Sequence, residues 1–225
     1  MNTSVRLNKF LALQLGISRR EADELIEKGR VRIGSSIATL GDRATPTDII
    51  YVDNKKIDSS QQLIYVLFNK PIGYVCSRRK QGETPTIYDI LPKEYYTLKP
   101  VGRLDKDSSG LLILTNDGDF AHKMTHPSFK KTKVYEISLD KPLEPLHQQL
   151  ISDRGIELED GTSKFLVAKI NENTYQITMQ EGRNRQIRRT FTALGYTVKR
   201  LHRVQFGPYL LDTQPTHHKL LTKLL

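Results

Sequence analysis

Between Ile64 and Met179 the chain returns five times to a short apolar run, and this rhythm limits its fold more than any other feature. The runs cover residues 64–68, 111–114, 134–139, 165–170 and 175–179. Segments of this length suit strands and are too short for stable helices. Residues 64–68 are apolar almost without interruption, which predicts a strand in a sheet interior. Helical spacing appears at 143–151 and 185–194; in the second, Ile187, Phe191 and Leu194 form an apolar stripe at i, i+4 and i+7. Strands and helices mixed in this order imply an α+β domain on an antiparallel or mixed β-sheet with flanking helices.

The first sixty residues have a different pattern. Leu7, Phe10, Leu11 and Leu15 follow helical spacing, and Gly16 supplies a stop. Ser18 opens a second helix with Glu21 three residues on, the arrangement of a capping box. Ala22, Leu25 and Ile26 form its apolar face and Gly29 ends it. Short strands are expected on Val31, Ile33 and Ile37, then on Ile49, Ile50 and Val52. A unit of this size buries little surface alone, so it reads as a small helix-helix-strand module appended to a larger domain. A polar link at 58–62 separates the two, which places the module at 1–58 and the main domain at 63–225.

The chain carries 35 Lys and Arg against 25 Asp and Glu, a net charge of +10. So basic a surface gathers polyanions and speeds their encounter. The excess is uneven: residues 1–60 hold 10 basic and 8 acidic side chains, net +2, and residues 61–225 hold 25 and 17, net +8. From Arg183 to Arg203 there are seven Arg or Lys and no acid. Like charges in such a run repel one another unless an anion completes them. Cys76 is the only cysteine, which excludes an intrachain disulfide and a thiolate-rich metal cage. No apolar stretch approaches the ~18–20 residues of a membrane span, and Met1 to Ser18 lacks the apolar core of a signal peptide. A cytoplasmic protein is expected.

The segment most suited to chemistry is Val101-Gly102-Arg103-Leu104-Asp105-Lys106-Asp107-Ser108-Ser109-Gly110-Leu111. It is a polar turn between apolar segments, bounded by glycines. Residues two apart in extended chain project to one side. With Leu104 anchored inward, Arg103 and Asp105 would face one cavity together. An isolated Arg-x-Asp is most often a loop with a salt-bridged aspartate, so the pattern alone does not define a site.

The match is longer than Arg-x-Asp. Gly102-Arg103-Leu104-Asp105 followed by Ser108-Ser109-Gly110-Leu111 resembles the signature of the RsuA-type pseudouridine synthases of ribosomal RNA. Asn69-Lys70-Pro71-Ile72-Gly73-Tyr74 resembles that family's opening strand and turn, and Lys133-Val134-Tyr135 its tyrosine motif. Glu181-Gly182-Arg183-Asn184-Arg185-Gln186-Ile187-Arg188-Arg189 resembles its basic helix start. The N-terminal module, with Arg6-Leu7-Asn8-Lys9-Phe10 and Ser18-Arg19-Arg20-Glu21-Ala22, resembles a small RNA-binding domain also found in a ribosomal protein.

The resemblance implies that uridine in ribosomal RNA is isomerised to pseudouridine, with Asp105 as the catalytic carboxylate acting on a flipped base. Attack on the base ring, attack on the sugar and assistance to proton abstraction at the ribose all stay open, and each uses a carboxylate. The implied counter-cation is Arg188, and Tyr135 is the implied active-site tyrosine, whose ring can stack on the uracil. Arg103 matches the arginine that fills the vacated stack. Arg183, Arg185 and Arg189 are expected on RNA phosphates, with Arg6, Lys9, Arg19, Arg20 and Arg32 in the module. No metal, nucleotide or redox cofactor is needed, and a monomer is the default.

His122 and His126 stand at i, i+4, but no glutamate of a zinc-protease motif lies between them, and Pro127 follows. Phosphate-loop, dinucleotide and nucleophile-elbow motifs are absent. A non-catalytic RNA-binding protein of ribosome assembly is the alternative reading; it keeps the basic faces and has no use for Asp105. Thr190 stands where the family has methionine, which predicts a change in packing. Residues 215–225 are shorter and more basic than the family's ending. Arg6 to Phe10 and Gly102 to Ser108 look most like a large-subunit branch, whereas Tyr74 to Ser77 looks like a small-subunit branch; the balance leans to large-subunit RNA.

Overall fold

The computed structural model describes residues 4–58, 62–78, 82–211 and 218–221. Most of the expected interdomain link and most of the basic C-terminal stretch, His217 included, lie outside the described residues. The chain divides into two compact units. One comprises residues up to Ile64 with Thr97–Lys99 and Asn116–Gly118; the other holds the remainder. The two short returning segments fall within what the sequence reading assigned to the second domain.

In the first unit, helix α1 (Leu7–Leu15) ends at Gly16, whose φ of 67° is left-handed and suits a residue without Cβ. Helix α2 (Arg19–Glu27) begins with the expected capping box: Ser18 Oγ accepts from the Glu21 N–H at 3.1 Å, and Glu21 Oε2 accepts from the Ser18 N–H at 2.6 Å. Strands β1 (Val31–Ile33), β2 (Ser36–Ile37), β3 (Ile50–Val52) and β4 (Lys55–Lys56) form an antiparallel sheet in the order β2-β1-β3-β4. Leu7, Leu11, Ala22, Ile26, Val31 and Ile50 close its core.

The second unit is built on one mixed sheet. Its strands are β5 (Tyr65–Lys70), β6 (Ser109–Thr115), β7 (Lys133–Leu139), β8 (Leu166–Lys169), β9 (Thr174–Met179), β10 (Val198–Phe206) and β11 (His218–Leu221). They are ordered β8-β9-β7-β10-β6-β5-β11, with Lys99–Val101 and Tyr209–Leu210 added at its margins. Every neighbouring pair in that order is antiparallel except β10 and β6. That parallel contact sets His202 beside Ser109 and Arg203 beside Gly110. Leu111 to Leu114 are fully buried, so β6 is covered on both faces. Truncating one of these leucines to alanine would cost about 2–5 kcal/mol. Helices α3 (Gly118–Thr125), α4 (Pro145–Asp153) and α5 (Gln186–Ala193) complete the unit. Ile187 and Phe191 of α5 are buried as the apolar stripe required, while Leu194 caps its end half-buried.

Strand β10 is absent from the sequence-based reading, which took its basic residues for part of a cationic face. Its ladder with β7 shifts register between Val134 and Tyr135 and again between Ser138 and Leu139. Its buried residues therefore fall at 198, 201, 203 and 206 rather than at every second position.

Candidate active site

The polar turn after Val101 is shaped by what lies beneath it. Gly102 takes a left-handed φ of 69°. Leu104 then turns inward at 7% exposed, and the half-exposed Asp105 and the exposed Arg103 both line one cleft. The cleft has a volume of about 580 Å³ and is also bordered by Lys133, Tyr135, Arg185 and Arg203. Tyr135, 8% exposed, reaches it from β7.

The loop is held from below by the segment that follows β5. Lys70 is fully buried, and its ammonium donates to the carbonyl oxygens of Asp105 at 3.1 Å, Ser108 at 2.7 Å and Pro71 at 3.0 Å. All three of its hydrogens are thus used. Burial lowers its affinity for a proton, opposed by the nearby Cys76, Asp105 and Asp107. The Gly73 N–H donates to the Lys106 carbonyl at 2.8 Å. The Cys76 thiol sits 3.4 Å from both the Leu104 N–H nitrogen and the Leu104 carbonyl oxygen. Burial pushes that thiol up from its ordinary value, so it stays a neutral donor and acceptor here.

From above, α5 contributes cations in an order that differs from the sequence-based expectation. Arg188, expected as the direct partner of Asp105, is not among the residues bordering the cleft. Its Nη2 donates to the Asp107 carbonyl at 2.8 Å and its Nη1 to the Val198 carbonyl at 2.7 Å, so the loop's main chain takes the bonds expected for the carboxylate. The side chain that approaches Asp105 is Arg185, with Nη1 4.0 Å from Asp105 Oδ2 and 3.4 Å from Asp107 Oδ2. Arg185 caps α5 in a left-handed conformation at φ 46°, a strained arrangement for an arginine.

Arg183 and Arg189 are also placed otherwise than as open phosphate contacts. Arg189 binds both carboxylate oxygens of Asp160, at 3.0 and 2.7 Å. Arg183 binds Asp160 Oδ1 at 3.0 Å and the carbonyls of Asp160, Gly161 and Thr162. The Arg189 hydrogen bonds, with the Arg183 charge adding to them against burial, hold the Asp160 carboxyl below the usual carboxylate range. Nothing in the sequence distinguished these tethered arginines from the two that approach the loop. Thr190 is fully buried, and its Oγ1 lies 2.7 Å from Ser163 Oγ, which also accepts from Gln186 Nε2 at 3.1 Å.

In the first unit Arg6, Arg19 and Arg20 are exposed and Lys9 is half-buried. Arg32 stacks on Tyr51 at 5.1 Å and donates to Asn54 Oδ1 at 3.1 Å, which fixes its direction. On α3 the His122 and His126 rings lie 4.8 Å apart. Among the described residues no group of three His, Cys, Asp or Glu is placed to hold a metal ion, and no helix is long and apolar enough to cross a membrane.

An aspartate set by a buried lysine into a cation-lined cleft, in a chain that also carries a small capped-helix module, describes an enzyme that acts on RNA. Residues 64–193 match the RNA pseudouridylate synthase family and residues 5–50 match the S4 domain, and the chain belongs to that family. It is 35% identical over 210 residues to ribosomal large subunit pseudouridine synthase B of Bacillus subtilis, covering 90% of this chain and 85% of the relative. It is 37% identical over 206 residues to the dual-specificity RNA pseudouridine synthase RluF of Escherichia coli, covering 91% and 70%. A crystal structure of a pseudouridylate synthase superposes with a TM-score of 0.67 at 30% identity, covering 97% of this chain and 96% of that one. The chain is a pseudouridine synthase, an isomerase, and these relatives favour that reading over a non-catalytic assembly factor.

Proposed function

We propose that this enzyme converts a uridine of large-subunit ribosomal RNA to pseudouridine, with Asp105 as the acting carboxylate. The observation that carries the reading is the shared cleft: Asp105 and Tyr135, brought from separate strands and loops, border one cavity rimmed by arginines. Tyr135 stacks on the extruded uracil, and Arg103 fills the space the nucleotide leaves. Arg188 acts by holding the Asp107 carbonyl and hence the loop, while Arg185 is the counter-ion of the carboxylate. Arg6, Lys9, Arg19, Arg20 and Arg32 contact the RNA backbone. The relatives' names support ribosomal RNA, and that of RluF supports a second RNA in some branches. The enzyme acts as a cytoplasmic monomer without a nucleotide cofactor.

The test is to incubate the protein with unmodified large- and small-subunit ribosomal RNA and to map pseudouridines by carbodiimide-primer extension. New modification in large-subunit RNA is expected, absent with Asp105→Asn at similar RNA affinity. Equal activity in that variant would remove Asp105 from its role; modification confined to small-subunit RNA would overturn the target.

A further inference from the structure

Arg203 lies in the middle of β10, 2% exposed, and borders the cleft. Its Nε donates to the Leu111 carbonyl at 2.8 Å, and its guanidinium lies 4.7 Å from the centre of the Phe206 ring. Its Nη2 is buried with no acceptor. None of the ion pairs among the described residues includes Arg203; Asp105 turns to Arg185 instead. A guanidinium stays charged in any protein environment, and a buried charge with no counter-ion and one nitrogen left without an acceptor is costly for a fold to hold. Its surroundings add to the cost. The Lys133 ammonium borders the same cleft, and its proton affinity is lowered by burial and then by the Arg203 charge.

The missing acceptor therefore enters with the substrate. β10 pairs Arg203 with Tyr135 on one side and with Gly110 on the other, so the guanidinium belongs to the floor of the cleft, where the proposed function seats the uracil. Isomerisation makes a passing demand on such a cation. When the bond from ribose C1′ to N1 breaks, its electron pair stays with the base and spreads over O2 and O4. C5 then bonds to C1′ and gives up its proton while N1 takes one, so atoms and charge balance. We propose that Arg203 is a further catalytic residue, whose guanidinium donates to a carbonyl oxygen of the flipped uracil and stabilises the charge on the detached base. The inference rests on the uridine chemistry of the preceding section and not on which RNA is the target.

Sulfur accepts hydrogen bonds poorly, so the test uses RNA whose target uridine is replaced by 2-thiouridine or 4-thiouridine. One of the two is expected to slow single-turnover isomerisation by the wild type at least about tenfold. Arg203→Lys is expected to lower kcat about 10²–10³-fold, mostly without raising KM, and to lose the sensitivity to sulfur. Free guanidinium should restore part of the activity of Arg203→Ala. Two thio-substrates that react at the uridine rate in the wild type overturn the proposal, whether or not the variants fold. So does a thio effect of equal size in Arg203→Lys. A wild type that leaves unsubstituted ribosomal RNA unmodified would instead contradict the proposed target.

Discussion

The Lys70 ammonium donates to the Asp105 carbonyl oxygen at 3.1 Å, so a fully buried cation grips the main chain of the residue whose side chain faces the cleft. Replacing Lys70 by Met leaves three carbonyls without their charged donor. Unfolding free energy should fall by about 2–4 kcal/mol, and kcat should fall with it while RNA affinity stays close to wild type. Urea unfolding and single-turnover kinetics measure the two effects. A variant of wild-type stability and rate would show that the loop needs no such support.

Arg188 bridges two carbonyls, on Asp107 and Val198, with two different nitrogens. A lysine presents a single ammonium and cannot reproduce that fork. Arg188→Lys should therefore lower kcat by roughly 10²-fold through misplacement of the loop. Arg185→Lys, which keeps a cation near half-exposed Asp105 and exposed Asp107, should cost less than tenfold. Reversal of that order in single-turnover rates would return the direct counter-ion role to Arg188.

Gly110 has a φ of +105° and packs against the main chain of Arg203, where an added Cβ would lie 2.5 Å from the Arg203 nitrogen. Backbone cannot move aside as a flexible side chain does. Gly110→Ala should destabilise the enzyme by at least about 3 kcal/mol, read as a fall in the urea midpoint or loss of soluble protein. A loss under about 1 kcal/mol would mean that β6 and β10 can separate freely there.

His202 links the same two strands, its Nδ1 lying 2.8 Å from Ser109 Oγ. Burial, followed by the Arg200 charge, places its proton affinity below the ordinary value of 6.5, with Glu136 opposing. As pH falls through that value the unfolded chain takes up a proton that the folded chain refuses. Stability is therefore lost on acidification until the lower folded value is passed. The stability of the wild type relative to His202→Gln should decline between about pH 7.5 and 5. A difference that stays constant over that range would contradict the assignment.

Salt dependence separates tethered arginines from available ones. Arg20→Gln, at an exposed residue assigned to the RNA backbone, should reduce the slope of log affinity against log salt by roughly 0.7–0.9, one phosphate contact. Arg183→Gln and Arg189→Gln should each change it by less than half as much, because Asp160 already holds both side chains. Equal reductions from all three in filter-binding titrations would show that RNA displaces Asp160.

Local signals carried much of this fold in advance. The Ser18–Glu21 cap, the Gly16 stop and the apolar strands β5, β6, β7 and β9 depend on neighbours in sequence, and sequence spacing reports them. Leu104 as an inward anchor between Arg103 and Asp105 was legible for the same reason. Strand β10 was not, because two register shifts against β7 break its alternation and a buried arginine disguises its inner face. The distribution of the α5 cations was equally hidden. Four arginines within seven residues look alike in sequence, and their fates depend on Asp160 and Asp107, which lie far away along the chain, and on Val198 of a strand that the spacing did not reveal.

The parallel contact between β6 and β10 joins Ser109 to His202 across 93 residues. Closing so distant a pair is entropically slow compared with forming a hairpin. A ribosome must have released residue 203 from its exit tunnel before the cleft can acquire its floor. Any product terminated earlier lacks the strand that pairs Arg203 with Gly110, and so cannot complete the cleft that Asp105 borders.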